Sequence, residues 1–168
     1  AHEMDEHFLN EPVENNMPVI LGFLGIWHIN ICNYVTRAIL PYDQRLNAFP
    51  SYIQQLDMES NGKSITSDGE NVSEKTGVIV WGAAGTNSQH SFFQLLHQGS
   101  EIVPCEFMLA ANEHEEGMKE HKDLLIANCL AQSQALMVGR SIQEVIRILK
   151  KRGVPHEEAI RLAPHRKF

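Results

Sequence analysis

The stretch GVIVWGAAGTNSQHSFFQLLHQG, residues 77–99, decides the fold class of this chain. It begins with a short apolar run, continues through a glycine-bounded polar loop and ends in the spacing of an amphipathic helix. A buried strand that leads through a polar loop into a helix is how α/β proteins place polar side chains at the carboxyl edge of a sheet. His90 lies near that corner, which makes it the first candidate for chemistry.

A second candidate lies upstream in QLDMESNGK, residues 55–63, where Glu59 stands shortly before a glycine. A carboxylate and an imidazole together suit general acid–base catalysis. Each residue also has an ordinary structural explanation. A glutamate at a helix end is usually solvated, and a histidine near a helix start can cap a backbone group. The residues alone leave both interpretations open.

The composition predicts a single globular domain, with 168 residues and a formal net charge of −7. Nucleic acid is not expected as a partner, because phosphate-driven binding needs a basic surface. The longest apolar run, residues 19–32, is too short to span a bilayer comfortably, so no membrane association is expected. The three cysteines are an odd number and lie in apolar segments, which favours buried free thiols in a reducing, cytoplasmic setting. No Cys-x-x-Cys spacing suggests a metal or redox site.

Apolar runs predict strands at residues 37–41, 78–81 and 101–109, separated by helical segments. Helices are expected at residues 14–36, 43–58, 86–98, 119–138 and 141–152. The first is expected to be buried on most sides, the second to break at Pro50, and the third to turn Phe92, Leu95 and Leu96 to the core. Residues 62–76 suggest a surface hairpin, and no element is predicted after Gly153. This alternation predicts an α/β fold with a mostly parallel sheet covered on both faces.

The other histidines are weaker candidates. His114 and His121, with Glu115 and Glu116 nearby, can be drawn as the metal cluster of a hydrolase or metalloenzyme. Their spacing fits no recognised ligand pattern, and a solvated helix start is the preferred interpretation, so no metal is expected. His97 is interpreted as a packing or hydrogen-bonded residue.

Several segments resemble the phosphoglucose isomerase family and occur in that family's order. They include AHEMDEHF (1–8), LPYDQ (40–44), MESNGK (58–63), GTNSQH (85–90) and QLLHQG (94–99). The resemblance runs over the whole length, which makes it far more specific than any one motif. It implies a three-layer α-β-α sandwich of the SIS phosphosugar-isomerase type, only part of which is present. It also implies that residues 1–168 are the central part of a longer enzyme, mostly from its second SIS-type domain.

By the same resemblance, Glu59 matches the family's catalytic carboxylate, His90 its catalytic histidine and Gln55 a substrate-contacting glutamine. The implied activity is an aldose–ketose isomerase of glycolysis and gluconeogenesis. It interconverts glucose 6-phosphate and fructose 6-phosphate through ring opening and a cis-enediolate, without a cofactor. The implied partners are a phosphorylated hexose and a second copy of the chain, since the family's histidine completes the neighbouring subunit's site. Glu59 and His90 of one chain would then serve different active sites.

The chain departs from the family's pattern in the loop before His90. Ala83 and Ala84 stand where many relatives have Glu-Pro, and Ser88 stands where glycine is common. These are not catalytic positions, so altered loop geometry with retained chemistry is expected. The segment 86–88 is expected to position His90, because the family's phosphate loops lie outside this chain, and the isolated segment is expected to be inactive. A non-catalytic phosphosugar-binding SIS module is the alternative, although a sensor needs neither Glu59 nor His90.

Overall fold

The computed structural model describes residues 2–112 and 117–168. Its regular elements follow in the order α1 (His2–Asn10), α2 (Met17–Ile26), β1 (Thr36–Pro41), α3 (Phe49–Ile53), β2 (Ile79–Gly82), α4 (Gly85–Ser88), α5 (Phe93–Gln98), β3 (Cys105–Met108), α6 (Lys119–Val138), α7 (Ile142–Lys151) and α8 (His156–Leu162). Short 3₁₀ turns occupy Val13–Asn15, Gln44–Leu46 and Ala163–His165. Two π-helical turns occupy Trp27–Ile31 and Gln54–Glu59. In the described ranges, no helix is both long enough and apolar enough to cross a bilayer.

The three strands form one parallel sheet in the order β2-β1-β3, which confirms the predicted α/β class. Ala38 of β1 lies opposite Cys105 of β3. The central strand is covered on both faces, since Ala38, Ile39 and Leu40 are at most 1% exposed. Burial of consecutive residues on both faces is typical of a parallel sheet with helices on each side. Strand β3 is shorter than the predicted 101–109 and starts directly after Pro104. A proline has no N–H to donate to a neighbouring strand, so it often stands at the start of a strand.

The main core lies between this sheet and helices α5 and α6. Its buried members are Ala38, Leu40, Tyr42, Phe93 and Cys129. Trp81 and Phe92 pack edge to face beside it, with ring centroids 4.8 Å apart. A second, smaller core joins α7 to α8 and the turn after it, and consists of Val145, Leu149, Ala159 and Ala163.

The prediction of one buried helix over residues 14–36 is wrong in both length and burial. Helix α2 starts after Asn16, whose side chain accepts a hydrogen bond from the Val19 N–H at 3.3 Å. The helical path ends before Asn33, which adopts a left-handed conformation with φ 60°. Much of its apolar surface is exposed, with Phe23 at 59% and Trp27 at 53%. No element of the described ranges covers this face, and hydrophobic character alone could not reveal that.

The predicted helix over residues 43–58 is broken just before Pro50, as expected, since α3 starts at Phe49 after a turn. Pro50 lies in the first turn of α3, where a proline suits the helix because its missing N–H has no partner to lose. After α3 the backbone widens into the π-helical turn Gln54–Glu59. This turn, which the helical spacing did not predict, carries two of the candidate site residues.

The predicted helix over residues 86–98 is two helices, α4 and α5, joined by a turn over residues 89–92. The hydroxyl of buried Ser88 donates to the Gly85 carbonyl at 2.6 Å, a local side-chain bond of the kind that competes with helix continuation. Phe92 and Leu96 pack against the core as predicted. Leu95 is instead 50% exposed and Phe93 is buried, because the break changes which face of α5 meets the sheet.

The predicted helices over residues 119–138 and 141–152 are confirmed as α6 and α7. The sequence predicts a capping box here, because Glu144 follows the N-cap candidate Ser141 by three residues, and the box is present. The Ser141 hydroxyl accepts from the Glu144 N–H at 3.2 Å, and the Glu144 carboxylate accepts from the Ser141 N–H at 2.8 Å. The hairpin over 62–76 is confirmed by an antiparallel bridge between Ile65 and Asn71. Helix α8 was not predicted. It follows Pro155 and is held by burial of its apolar face on α7.

Candidate active site

The π-helical turn Gln54–Glu59 is attached to the outer edge of the sheet. The Gln54 amide donates to the carbonyl oxygen of Val80 at 2.9 Å, and the Val80 N–H donates to the sulfur of Met58 at 3.4 Å. Because β2 is an edge strand, these two side chains satisfy backbone groups that no neighbouring strand pairs with here. The turn is therefore fixed to the sheet by its inward-facing residues.

Gln55 and Glu59 lie on the outward side of the same turn, and both are exposed. The end of the turn is capped by Lys63, whose ammonium donates to the carbonyl oxygens of Glu59 at 2.6 Å and of Ser60 at 2.7 Å. A cation at a helix C-terminus is favourable because it meets the negative end of the helix dipole. The Glu59 carboxylate itself is left available to solvent.

An arginine that the sequence reasoning missed reaches this turn from the central strand. Arg37 of β1 donates from Nη2 to the Asp57 carboxylate at 2.8 Å, and its Nη1 lies 3.3 Å from the Glu106 carboxylate of β3. Its sequence signal is a charged residue at the start of an otherwise apolar run, between Thr36 and Ala38.

His90 lies in the turn between α4 and α5. Its N–H donates to the carbonyl oxygen of Asn87 at 3.1 Å, and its side chain is exposed. The neighbouring residue anchors the turn, because the Gln89 amide donates to the Tyr42 hydroxyl at 2.9 Å. Burial raises the pKa of the Tyr42 phenol, against a smaller lowering by the Gln89 hydrogen bond.

A cavity of about 470 Å³ opens where the three strands end, the position at which ligands bind in parallel α/β sheets. Its lining includes Tyr42, Thr86, Leu109, His121, Lys122 and Asn128. Neither Glu59 nor His90 lines this cavity. The sequence predicts that Thr86 positions His90 and gives no sign of this cavity, which is lined by the segments that follow β1 and β3 and by α6.

The structure does not bring Glu59 and His90 into contact with each other. Within residues 2–112 and 117–168, neither side chain takes part in a hydrogen bond or an ion pair. Glu59 lies on the π-helical turn that precedes β2 and packs on it, and His90 lies in the turn after α4, which follows β2. Each is thus available to a molecule outside this segment, and their assignment to one or to two active sites stays a prediction.

Of the weaker candidates, His97 makes structural contacts, and His121 is exposed near the start of α6, in the lining of the cavity. His97 is hydrogen-bonded through Nε2 to Gln132 at 3.0 Å and packs edge to face on Phe168, which confirms its predicted role. His114, Glu115 and Glu116 lie outside the described residues. Among the residues that are described, no three histidine, cysteine or carboxylate side chains form a metal-ligand group.

The cysteines are poor candidates for a nucleophile. Cys32, Cys105 and Cys129 are free thiols, as predicted, but only Cys129 is fully buried and the other two are partly exposed. Burial raises the pKa of the Cys105 thiol to about 11 and also raises the pKa of Cys129. A thiol is a good nucleophile only as its thiolate, so these two are inert near neutral pH.

Comparison with known proteins gives one consistent family. A family model described as phosphoglucose isomerase matches residues 1–168. The glucose-6-phosphate isomerase of Xanthobacter autotrophicus is 56% identical over 168 residues, covering 100% of this chain and 31% of that protein. Those of Chelativorans sp. and Brucella ovis are 58% and 55% identical with the same coverage. The chain therefore spans less than a third of the length of these curated relatives.

Solved structures give the same fold. The crystal structure of a glucose-6-phosphate isomerase from Chlamydia trachomatis superposes with a TM-score of 0.72 at 40% identity, over 84% of this chain and 28% of that chain. A hypothetical protein from Thermus thermophilus superposes with a TM-score of 0.62 at 24% identity, over 80% of this chain and 34% of that one. The second likeness concerns the fold alone.

Proposed function

The chain belongs to the phosphoglucose isomerase family, and we propose that the complete protein containing it interconverts glucose 6-phosphate and fructose 6-phosphate. The observation that carries the proposal is the family match over all of residues 1–168, which includes the segments bearing Glu59 and His90. In this proposal the chain is the central part of the enzyme and belongs mostly to its second SIS-type domain.

Glu59 is the proposed base of the isomerisation. The C2 proton of the open-chain aldose passes to the Glu59 carboxylate, and the electrons of that C–H bond form a C1=C2 double bond. The π electrons of the C1 carbonyl move to O1, which gives a cis-enediolate. Return of the proton to C1, with the hydroxyl proton moved from O2 to O1, gives the ketose. The carbon proton is weakly acidic, so its transfer needs a positioned base and a stabilised oxyanion. C1 is reduced as C2 is oxidised, and no redox cofactor is consumed.

His90 is the proposed acid and base for ring opening. An imidazole donates and accepts protons near neutral pH, which suits protonation of the ring oxygen and its reversal. Its exposure and lack of side-chain partners within the described ranges support a role toward a molecule outside this segment. We assign His90 to the active site of a second copy in a homodimer, and Gln55 to binding of the phosphorylated hexose beside Glu59.

The proposed setting is glycolysis and gluconeogenesis in the cytoplasm. The three free cysteines support a reducing compartment, because oxidising compartments favour disulfides. We expect residues 1–168 alone to be inactive, since in the family the phosphate-binding loops and further catalytic residues lie outside the matching segment.

The decisive experiment follows hydrogen exchange at the sugar carbons by NMR, with fructose 6-phosphate in heavy water and the complete protein. Glu59→Gln is expected to abolish both exchange and interconversion, a loss on the order of 10³-fold for an acid–base group. His90→Gln is expected to slow ring opening. Glu70→Gln and His156→Gln change exposed residues of the same types away from the site and are expected to retain parent activity.

Two results would count against the proposal. A folded parent protein without exchange or interconversion would remove the catalytic role and favour the non-catalytic phosphosugar-binding module. Full activity of the Glu59→Gln variant would leave an isomerase but reject Glu59 as its base.

A further inference from the structure

A residue that the family resemblance does not assign contacts the turn that bears the proposed base. We propose that Arg37, through its ion pair with Asp57, holds the π-helical turn Gln54–Glu59 in the register that presents Glu59 and Gln55 to substrate. Arg37 is thus a positioning residue. The inference rests on the proposed function, because it concerns the placement of the proposed base.

A π-helical turn depends on contacts outside itself. Its i→i+5 hydrogen bonds are rare in proteins, and such turns occur mostly as single insertions, frequently at functional sites. One inserted residue rotates everything after it by about 100° around the helix axis relative to an α-helix. Reversion of this turn to an α-helix would therefore move the Glu59 carboxylate to another face.

Three side-chain contacts oppose that reversion, and all lie on the side of the turn that faces the sheet. Those of Gln54 and Met58 reach the backbone of Val80 at 2.9 and 3.4 Å. The third is the ion pair of Asp57 with Arg37 at 2.8 Å. Arg37 lies directly opposite Val80 in the sheet register. The three contacts therefore hold the turn at the same position along strands β1 and β2.

The contact made by Arg37 differs from the other two because it is ionic. The pair with Asp57 at 2.8 Å is shorter than the 3.3 Å approach to Glu106, whose side chain is 45% exposed against 21% for Asp57. The Arg37 and Asp57 side chains are only 28% and 21% exposed, and such charge-assisted hydrogen bonds are stronger than neutral ones. Asp57 is two residues from Glu59, at the end of the turn where the base is carried.

Arg37 also carries an unfavourable feature that stability alone does not explain. Its Nε atom is buried without a hydrogen-bond partner in the described residues. A buried unsatisfied donor is unfavourable, so each case in a native structure needs a reason. The reason that we infer for the unpaired Nε is that the Arg37 guanidinium must extend from β1 to the Asp57 carboxylate.

The test uses the complete protein and compares Arg37→Met, Arg37→Lys and Asp57→Asn, with Glu106→Gln as the matched control on the far side of the guanidinium. We measure kcat, KM and the deuterium incorporated per turnover from fructose 6-phosphate in heavy water. Arg37→Met is expected to lower kcat about tenfold through a misplaced base. It is also expected to raise the deuterium fraction, because a displaced carboxylate exchanges more with water.

Arg37→Lys, which keeps the cation, is expected to recover kcat to within about threefold of the parent, and Glu106→Gln to stay within about twofold. Asp57→Asn is expected to change kcat and the deuterium fraction in the same direction as Arg37→Met. If Arg37→Met fails to fold, Asp57→Asn tests the pair from its other end. The deuterium fraction is a ratio per turnover and does not depend on how much protein is folded.

The inference is overturned if folded Arg37→Met and Asp57→Asn match the parent in kcat and deuterium fraction. It is also overturned if Glu106→Gln is as impaired as Arg37→Met, which would indicate a general effect on the ion-pair network. In both cases an active parent with an inactive Glu59→Gln variant leaves the proposed isomerase standing. A folded parent without activity overturns the proposed function, and this inference with it.

Discussion

The side-chain amide of Gln89 donates a hydrogen bond to the hydroxyl of Tyr42 over 2.9 Å, and this contact ties the turn bearing His90 to the end of the central strand. Tyr42 is 1% exposed, and burial raises the pKa of its phenol. The His90 side chain has no partner of its own in the described ranges. Its placement therefore depends on the contacts of its neighbours.

Tyr42→Phe tests how much this hydrogen bond contributes to stability. The substitution removes the acceptor and leaves the Gln89 amide unsatisfied beside the core, so the free energy of unfolding is expected to fall by about 1–2 kcal/mol. Denaturant unfolding of the complete protein measures the change. Tyr52→Phe is the matched control, because Tyr52 is 58% exposed. Equal losses in the two variants would show that the Gln89 contact contributes nothing specific.

Gly85→Ala tests the close packing of α4 on the same tyrosine. A Cβ at position 85 would lie 2.3 Å from Cδ2 of the buried Tyr42 ring, well inside contact distance. Because this side chain is buried, relieving the overlap requires the core to shift, and a loss of about 1–3 kcal/mol in unfolding free energy is expected. Asn87→Ala, at an exposed position of the same helix, is expected to stay within about 0.5 kcal/mol of the parent. An unchanged melting temperature for Gly85→Ala would contradict this packing.

The strands could be predicted from the sequence because each is a short apolar run bounded by glycine or proline. The central strand, for example, is ended by Pro41, and the edge strand follows Gly77. The split between α4 and α5 could not be predicted in the same way. It depends on the Ser88 hydroxyl bonding to Gly85, and apolar spacing continues through the break without a signal. Helix α8 was missed because a single buried Ala159 facing α7 replaces the usual stripe of large apolar residues.

Some features of the candidate site could be predicted from the sequence, and others could not. The family resemblance predicts Glu59 and His90 as site residues, since both stand in local motifs, whereas residue type alone leaves their roles open. The ion pair of Arg37 with Asp57 joins residues 20 positions apart, and nothing in either local segment indicates its partner. The π-helical register of Gln54–Glu59 also depends on a strand that comes later in the chain, through Val80. Contacts of this kind become visible only in three dimensions.

The Cys105 thiol is expected to resist alkylation near neutral pH. Burial raises its pKa from 9.0 to about 11, so at pH 8 only about one thiol in a thousand is the reactive thiolate. Labelling by iodoacetamide, followed by mass spectrometry, should be slow at pH 8 and accelerate as the pH approaches 11. N-acetylcysteine provides the reference rate at each pH. A Cys105 that reacts as fast as the reference at pH 8 would contradict the burial of its sulfur.

The capping box of α7 is expected to weaken in acid, and the sign follows from the pKa of Glu144. Hydrogen bonds from the backbone and side chain of Ser141 lower that pKa from its ordinary 4.5. The folded chain therefore binds a proton at Glu144 less readily than the unfolded chain. The stabilisation is complete above the unfolded value and is lost as the pH falls through the folded one.

Hydrogen exchange in the first turn of α7 measures this locally, whatever the stability of the rest of the complete protein. Glu144→Gln should reduce amide protection at pH 7, because glutamine carries no charge for the helix N-terminus and accepts more weakly. The difference from the parent should shrink as the pH falls below 4.5, since the parent carboxylate becomes protonated and equally neutral. Comparison at one pH cancels the intrinsic exchange rate. Glu70→Gln, in the surface hairpin, controls for loss of charge alone. A protection difference that stays constant between pH 7 and pH 3 would mean that the carboxylate charge plays no part in the cap.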